Sequence, residues 1–323
     1  MRRLRGLFVV ALVAVMSLGL LAPSAVAVKP LLPNEMGAQA YTRIEALTAE
    51  PRAAATAGEF AAAEKVKAWF EASGYATEVQ PFSYVRRDVT YNSQNVVAFS
   101  PAAKKPKASP TPLVIIGAHY DAVTRGRGAD DNASGVAVML EVAERIKKYQ
   151  REYDVIFIAF GAEEAGLRGS DYYVSQMSEE DLGRTIAMIN FDSLIVGDKL
   201  YIHAGANEKA WARDEMLRLI RLHKLPIETQ PGLHPEYPAG FTPDGFSDYT
   251  AFNEADIPIV AFESTNWEIG DLDGYEQTEE YGSFWHTAND DLAVIEELLP
   301  GRPMVRLEAY TRLVFEFLKH LNP

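Results

Sequence analysis

The sequence predicts an α/β fold in which a mixed central β-sheet is flanked by helices on both faces. Three observations carry that expectation. From residue 113 onward, apolar runs of strand length alternate with segments whose apolar residues recur at helical spacing. Ahead of them lie two strand-like segments joined by a short polar turn. Three successive strands of the alternating region each end in residue types that bind metal, and ligands in open α/β sheets sit beyond the carboxyl ends of the strands.

The elements follow in order. Residues 37–47 and 62–70 carry helical apolar spacing, the second through Ala62, Val66, Trp69 and Phe70, and Gly74 stops it. Residues 77–84 and 90–99 read as strands around a turn at Arg86-Arg87-Asp88. The stretch 100–112, rich in proline, alanine and lysine, reads as an exposed loop; three lysines in an acidic chain make a poor nucleic-acid patch. Residues 113–117 form a strand that leads at once into His119-Tyr120-Asp121. A turn at 128–135 opens an amphipathic helix with Val136, Met139, Leu140, Ala143 and Ile146 on its apolar face. Strand 154–160 delivers Glu163 and Glu164, and strand 186–191 delivers Asp192. Strands at 200–203 and 257–262 and helices at 208–222 and 303–321 complete the reading. The loop at 231–252, full of glycine, proline and aromatics, is long enough to be functional. There is no internal repeat and no second-domain boundary.

Residues 1–27 read as a secretory signal peptide: Arg2, Arg3 and Arg5, an apolar run at 7–21, and Ala25-Val26-Ala27 as the cleavage signal. The apolar run is shorter than the ~20 residues a spanning helix needs. The expected location is therefore secreted and extracellular, or periplasmic where there is an outer membrane. Residues 28–323 form one expected domain, and a chain of that size can bury about three quarters of its unfolded surface. No cysteine is present, so no disulfide staples the exported chain. A formal charge of -14 argues against nucleic acid and, after signal removal, against an anionic membrane as partners. A monomer is expected.

The chemistry concentrates at Phe160-Gly161-Ala162-Glu163-Glu164-Ala165-Gly166-Leu167. Two adjacent carboxylates are costly unless cations or water neutralise them, and alone they would suit a solvated loop as well as a metal site. His119, Asp131, Glu164 and Asp192 then make four candidate ligands from one sheet edge. Among six histidines, His203, His223, His234 and His320 have ordinary surroundings, while His286 sits in a polar turn after Phe284-Trp285 and is the best fifth ligand. Two imidazoles with three carboxylates suit zinc better than magnesium or copper.

Taken in order, Gly117-Ala118-His119-Tyr120-Asp121, residues 128–135, residues 160–170, Asn190-Phe191-Asp192 and His286-Thr287 through Asp290 resemble the motifs of the two-zinc aminopeptidases of clan MH. That family includes secreted bacterial leucyl-type aminopeptidases and is related to glutamate carboxypeptidases and glutaminyl cyclases. The resemblance implies a zinc aminopeptidase (phosphorylase/hydrolase-like) fold without a protease-associated insert. It implies two zinc ions per chain: one on His119 and Asp192, one on Glu164 and His286, with Asp131 bridging. Glu163 would be the general base toward a metal-bridging water, and Asp121 would accept the second ring N–H of His119. Where some members place a tyrosine before the last ligand histidine, this chain has Trp285, which is not assigned a catalytic role. The implied activity is removal of N-terminal residues from peptides with a free amine. A glutaminyl-cyclase-like transferase with a single zinc, a carboxypeptidase, and a non-catalytic binding module on the same fold are the alternatives. The aromatics Tyr237, Phe241, Phe246, Tyr249, Phe252, Phe284 and Trp285 lead to an expected preference for large apolar N-terminal residues.

Overall fold

The computed structural model describes residues 35–104 and 109–323; the expected signal peptide at 1–27 lies outside them. Two helices come first, α1 (Ala38–Thr48) and α2 (Ala57–Ala72). The second begins five residues earlier than its apolar spacing implies, because Thr56 caps it: its side chain accepts from Glu59 N, while Glu59 Oε2 accepts from Ala55 N at 2.6 Å. Strands β1 (Ala76–Arg86) and β2 (Val89–Ser100) form the expected hairpin and pair antiparallel.

The rest of the sheet is built from β3 (Leu113–His119), β4 (Asp154–Phe160), β5 (Thr185–Phe191), β6 (Lys199–Gly205), β7 (Ile227–Glu228), β8 (Phe241–Thr242) and β9 (Ile259–Thr265). The strand order is β1-β2-β4-β3-β5-β9-β6-β7, with β8 pairing β6. Strands β4, β3, β5 and β9 run parallel to one another, and β2 and β6 pair antiparallel at either side of that block. The sheet is therefore mixed, as expected.

Alternation along the strands sorts the core into two layers. Val114, Ile116 and Ala118 of β3 pack with α1, α2, α3 (Gly135–Ile146), α6 (Trp211–His223) and α9 (Arg302–His320). Leu113 and Ile115 pack on the opposite face with α4 (Arg168–Gln176), α5 (Glu179–Arg184) and α7 (Tyr249–Glu254). Helix α3 is buried almost all round rather than amphipathic, because α1 and α9 cover the side that faces away from the sheet. Its buried carboxylate, Glu141, accepts from Gly37 N at 2.9 Å and Ala40 N at 2.8 Å and pairs with Arg145. The segment 231–252 is not one structureless loop: it contains β8 and the start of α7, which Tyr249 and Phe252 anchor in the core. Helix α8 (Leu292–Leu298) follows the last polar turn, with Asp291 accepting from Ala293 N.

Candidate active site

The three strands β4, β3 and β5 lie side by side and parallel, so their carboxyl ends open on one edge. His119 is the last residue of β3, Asp192 follows β5 directly, and Glu163 and Glu164 follow β4 after a tight turn. Gly161 makes that turn possible: a Cβ there would lie 2.5 Å from both Gln94 O and Ser93 Oγ. Asp121, fully buried, accepts from Glu163 N at 3.0 Å and Glu164 N at 3.2 Å. Its Oδ1 stands 3.6 Å from His119 Nδ1, longer than a hydrogen bond, so in this structure it orients the Glu163-Glu164 turn more directly than the imidazole.

Asp131 sits in an irregular turn and is braced from several directions. Arg52, nearly fully buried, donates to Tyr120 O at 2.7 Å, Arg127 O at 2.5 Å and Gly128 O at 2.6 Å. Asp290 accepts from Asp130 N at 2.6 Å and Asp131 N at 3.2 Å. The Asp130 carboxylate points away and accepts from Ile195 N, Val196 N and Gln277 Nε2. That separation of Asp130 from Asp131 leaves only Asp131 at the site.

The five expected ligands converge. His119 Nε2 is 3.2 Å from Asp131 Oδ1 and 3.6 Å from Asp192 Oδ1. His286 Nε2 is 3.2 Å from Asp131 Oδ2 and 3.1 Å from Glu164 Oε2. Two triads, His119-Asp131-Asp192 and Asp131-Glu164-His286, thus share Asp131 through its two oxygens, with all donor atoms of each triad within 4.8 Å of one another. Glu163 Oε2 lies 3.9 Å from His119 Nε2, and these residues with Glu164 form a third such group.

Electrostatics mark the cluster as built for cations. Burial pushes Glu163 well above the ordinary carboxylate range and Glu164 up to about 7. Burial also acts to raise Asp131, but hydrogen bonds from His119 and His286 outweigh it and hold that carboxyl below its usual range. Those same bonds to Asp131 and Glu164 push His286 up to about 11. In the protein alone the cluster holds protons that a divalent cation would displace. No lysine or arginine lines the cavity among the described residues, so imidazole nitrogens and carboxylate oxygens are its whole charged donor set, and they fit zinc.

Three supports had no signal in the local sequence. Ser247 Oγ donates to Asp192 Oδ2 at 2.5 Å and accepts from Asn190 Nδ2 at 2.9 Å; the amide nitrogen can only donate, which fixes the direction of both bonds. Glu59, buried under the β4 turn, accepts from Ala162 N at 2.9 Å and from Ser93 Oγ at 2.6 Å. Arg52 is the third. His203, expected in ordinary surroundings, is fully buried, with Nε2 2.8 Å from Glu263 Oε1.

The cavity over the cluster measures about 360 Å³. Of the seven expected pocket aromatics, Phe246, Tyr249 and Trp285 line it; Trp267 and Tyr275 join them. Phe252 and Phe284 are core residues instead, Tyr237 stacks on His234 at 4.3 Å, and Phe241 packs under the Arg213 guanidinium at 5.1 Å. The Trp285 indole nitrogen is buried and makes no hydrogen bond among the described residues.

A sequence model described as peptidase family M28 matches residues 95–302. The Escherichia coli (strain K12) alkaline phosphatase isozyme conversion protein is 32% identical over 297 residues, covering 84% of this chain and 86% of that protein. Aminopeptidase YwaD of Bacillus subtilis (strain 168) is 33% identical over 236 residues, covering 70% of this chain and 45% of its own length, so the chain spans less than half of that relative. Among solved structures, a zinc aminopeptidase from Bacillus subtilis superposes with a TM-score of 0.72 at 20% identity, covering 91% of this chain and 98% of that one. A glutaminyl cyclase from Porphyromonas gingivalis superposes with a TM-score of 0.64 at 21% identity, covering 87% and 97%. At such identities the superpositions establish the shared fold, which hydrolase and cyclase have in common.

Proposed function

The chain belongs to peptidase family M28 and is a metallo-aminopeptidase; from that membership we propose an exported, single-domain, monomeric enzyme that removes N-terminal residues from peptides with two zinc ions per chain. The observation that carries the reading is the pair of donor triads sharing Asp131. His119 and Asp192 would hold one ion, Glu164 and His286 the other, and Asp131 both. When bound, zinc at this centre supplies Lewis acidity toward the scissile carbonyl and the attacking water.

The protein's own groups do the rest. Glu163, whose carboxylate oxygen Oε2 faces the cluster without belonging to either triad that shares Asp131, accepts the proton of the attacking water and returns it to the leaving amine. Asp121 holds the Glu163-Glu164 turn through two backbone N–H groups, which sets where that proton is taken up. Asp192 and Glu163 offer negative charge to the substrate's free ammonium. The walls formed by Phe246, Tyr249, Trp267 and Trp285 favour a side chain with a large apolar body, so leucyl substrates are cleaved faster than alanyl ones and glycyl ones slowest. Export rests on the character of residues 1–27; among the described residues no helix is long and apolar enough to cross a membrane.

The test combines metal analysis with a panel of aminoacyl anilides, free and N-acetylated. Two zinc ions per chain and refusal of acetylated substrates are expected. One ion at full activity, with cyclisation of N-terminal glutamine, would transfer the chain to the glutaminyl-cyclase reading.

A further inference from the structure

The catalytic cavity contains a carboxylate that neither the metal centre nor the proton transfer uses. Strand β9 continues past the expected end at Phe262 to Thr265, so Glu263 belongs to the sheet. It is held beside the metal edge by backbone bonds on both sides: Asp192 N donates to Phe262 O at 3.0 Å, and Ser264 N donates to Ser193 O at 2.8 Å. Ala261 and Glu263 share one face of the strand, and both line the cavity.

The Glu263 side chain is aimed. Its Oε1 receives His203 Nε2 at 2.8 Å and the Trp267 indole N–H. His203 is fully buried and Trp267 nearly so, and their rings meet edge to face at 5.7 Å, so two rigid groups fix one carboxylate oxygen. Oε2 accepts no hydrogen bond from the described residues, and the side chain keeps 22% of its surface exposed. Asp273 lines the same cavity, where its Oδ1 accepts from Tyr275 N at 2.9 Å. Neither carboxylate has a lysine or arginine in that lining to neutralise it. Aromatic walls with an oriented carboxylate between them match a side chain that has an apolar stem and a cationic end.

We propose that Glu263, oriented by His203 and Trp267, is a specificity-determining residue that selects peptides whose N-terminal side chain is basic, arginine or lysine. The inference rests on the aminopeptidase reading and supplies what that reading leaves open, the end group of the preferred large side chain. The aliphatic stem lies along the aromatic walls, and the guanidinium or ammonium meets the second oxygen of Glu263, with Asp273 adding negative charge.

The zinc-loaded protein is assayed with arginyl, lysyl, citrullyl, norleucyl and leucyl p-nitroanilides. Citrulline keeps the shape of arginine without its charge, and norleucine keeps the stem of lysine without its ammonium. The wild-type protein should show kcat/KM for arginyl over citrullyl, and for lysyl over norleucyl, of about tenfold or more at low salt, shrinking as salt is raised. In Glu263→Gln, whose amide oxygen can keep both ring bonds while its NH2 faces the substrate, the arginyl-to-citrullyl ratio should fall about tenfold. Asp273→Asn, at a carboxylate that no buried ring fixes, should lower it by a smaller factor. A wild-type ratio near one overturns the proposal without any variant being needed. An unchanged ratio in a folded Glu263→Gln protein also overturns it, as does an equal loss for every substrate, which would assign Glu263 to the α-ammonium. Failure to cleave any free-amine substrate would instead remove the aminopeptidase reading beneath it.

Discussion

Replacing Arg52 with methionine removes the guanidinium from the turn that carries Asp131 and keeps much of the side chain's bulk. At a site only 2% exposed, the carbonyls of Tyr120 and Arg127 lose their donor, and that of Gly128, which also accepts from Ala133 N at 3.0 Å, loses one of two. A hydrogen bond from a charged group contributes about 1.5–3 kcal/mol, and each buried acceptor left bare costs about 1–3 kcal/mol. Relief of the guanidinium's own burial opposes this, since burial dominates its environment and lowers its pKa, while Asp290, Asp121, Asp131 and Glu164 act the other way. Breaking a buried charged group's partnerships by removing one side costs about 3–5 kcal/mol in net terms, and that is the expected loss for the metal-free protein in urea unfolding. Zinc affinity should fall with it, because the turn holding the bridging carboxylate is no longer fixed. Arg52→Lys should recover the charge but not the three-way geometry, and so remain well below wild type. A loss below 1 kcal/mol with unchanged zinc affinity would refute the idea that this residue braces the metal-bearing turn.

Glu163→Gln should retain both zinc ions by elemental analysis yet lose about 10²–10⁴-fold in kcat, because an amide cannot take the proton; near wild-type turnover would show that another group is the base. Ser247→Ala frees one oxygen of Asp192 and should weaken zinc binding about 10–100-fold in a chelator competition, with Ser247→Thr restoring most of it. Glu59 gives a pH signature. Burial raises its folded pKa to about 7, above the value in the unfolded chain, so between about pH 4.5 and pH 7 the folded state binds the more protons and stability falls as pH rises. Glu59→Gln should remove up to about 3 kcal/mol of that slope from the metal-free protein; identical pH profiles for variant and parent would show that Glu59 does not ionise there.

Four of the residues that the structure brings together owe their place to a strand end, whereas Asp131 and His286 stand in turns, where only their motifs marked them. His119, Glu163, Glu164 and Asp192 each follow a continuous apolar run, and the parallel order of those runs brings their ends together. Arg52, Glu59 and Ser247 left no such trace, because each acts through a hydrogen bond to a segment remote in the chain. Helices α4 and α5 were missed for a different reason. Their sequences, Arg168-Gly169-Ser170-Asp171-Tyr172-Tyr173-Val174-Ser175-Gln176 and Glu179-Glu180-Asp181-Leu182-Gly183-Arg184, are short and hold few apolar residues, and packing by Tyr173, Val174 and Leu182 against the second core layer holds them. Most of the expected pocket aromatics were named by composition, yet burial sent Phe252 and Phe284 to the core, where an aromatic removes more apolar surface from water.

The block of four parallel strands, closed on both sides by strands of reversed direction, also acts as a ruler. Neighbouring strands lie about 4.8 Å apart, so the ends of β4, β3, β5 and β9 are spread over about 14 Å. Along that line come Glu163 and Glu164, then His119, then Asp192, then Glu263. Glu263 stands one strand spacing, about 4.8 Å, beyond Asp192 on that line, a step that the side chain of a single terminal residue can span. On the proposed reading, proton transfer and side-chain recognition fall at opposite margins of one sheet edge, and selectivity can be rebuilt on β9 while the chemistry on β4 keeps its place.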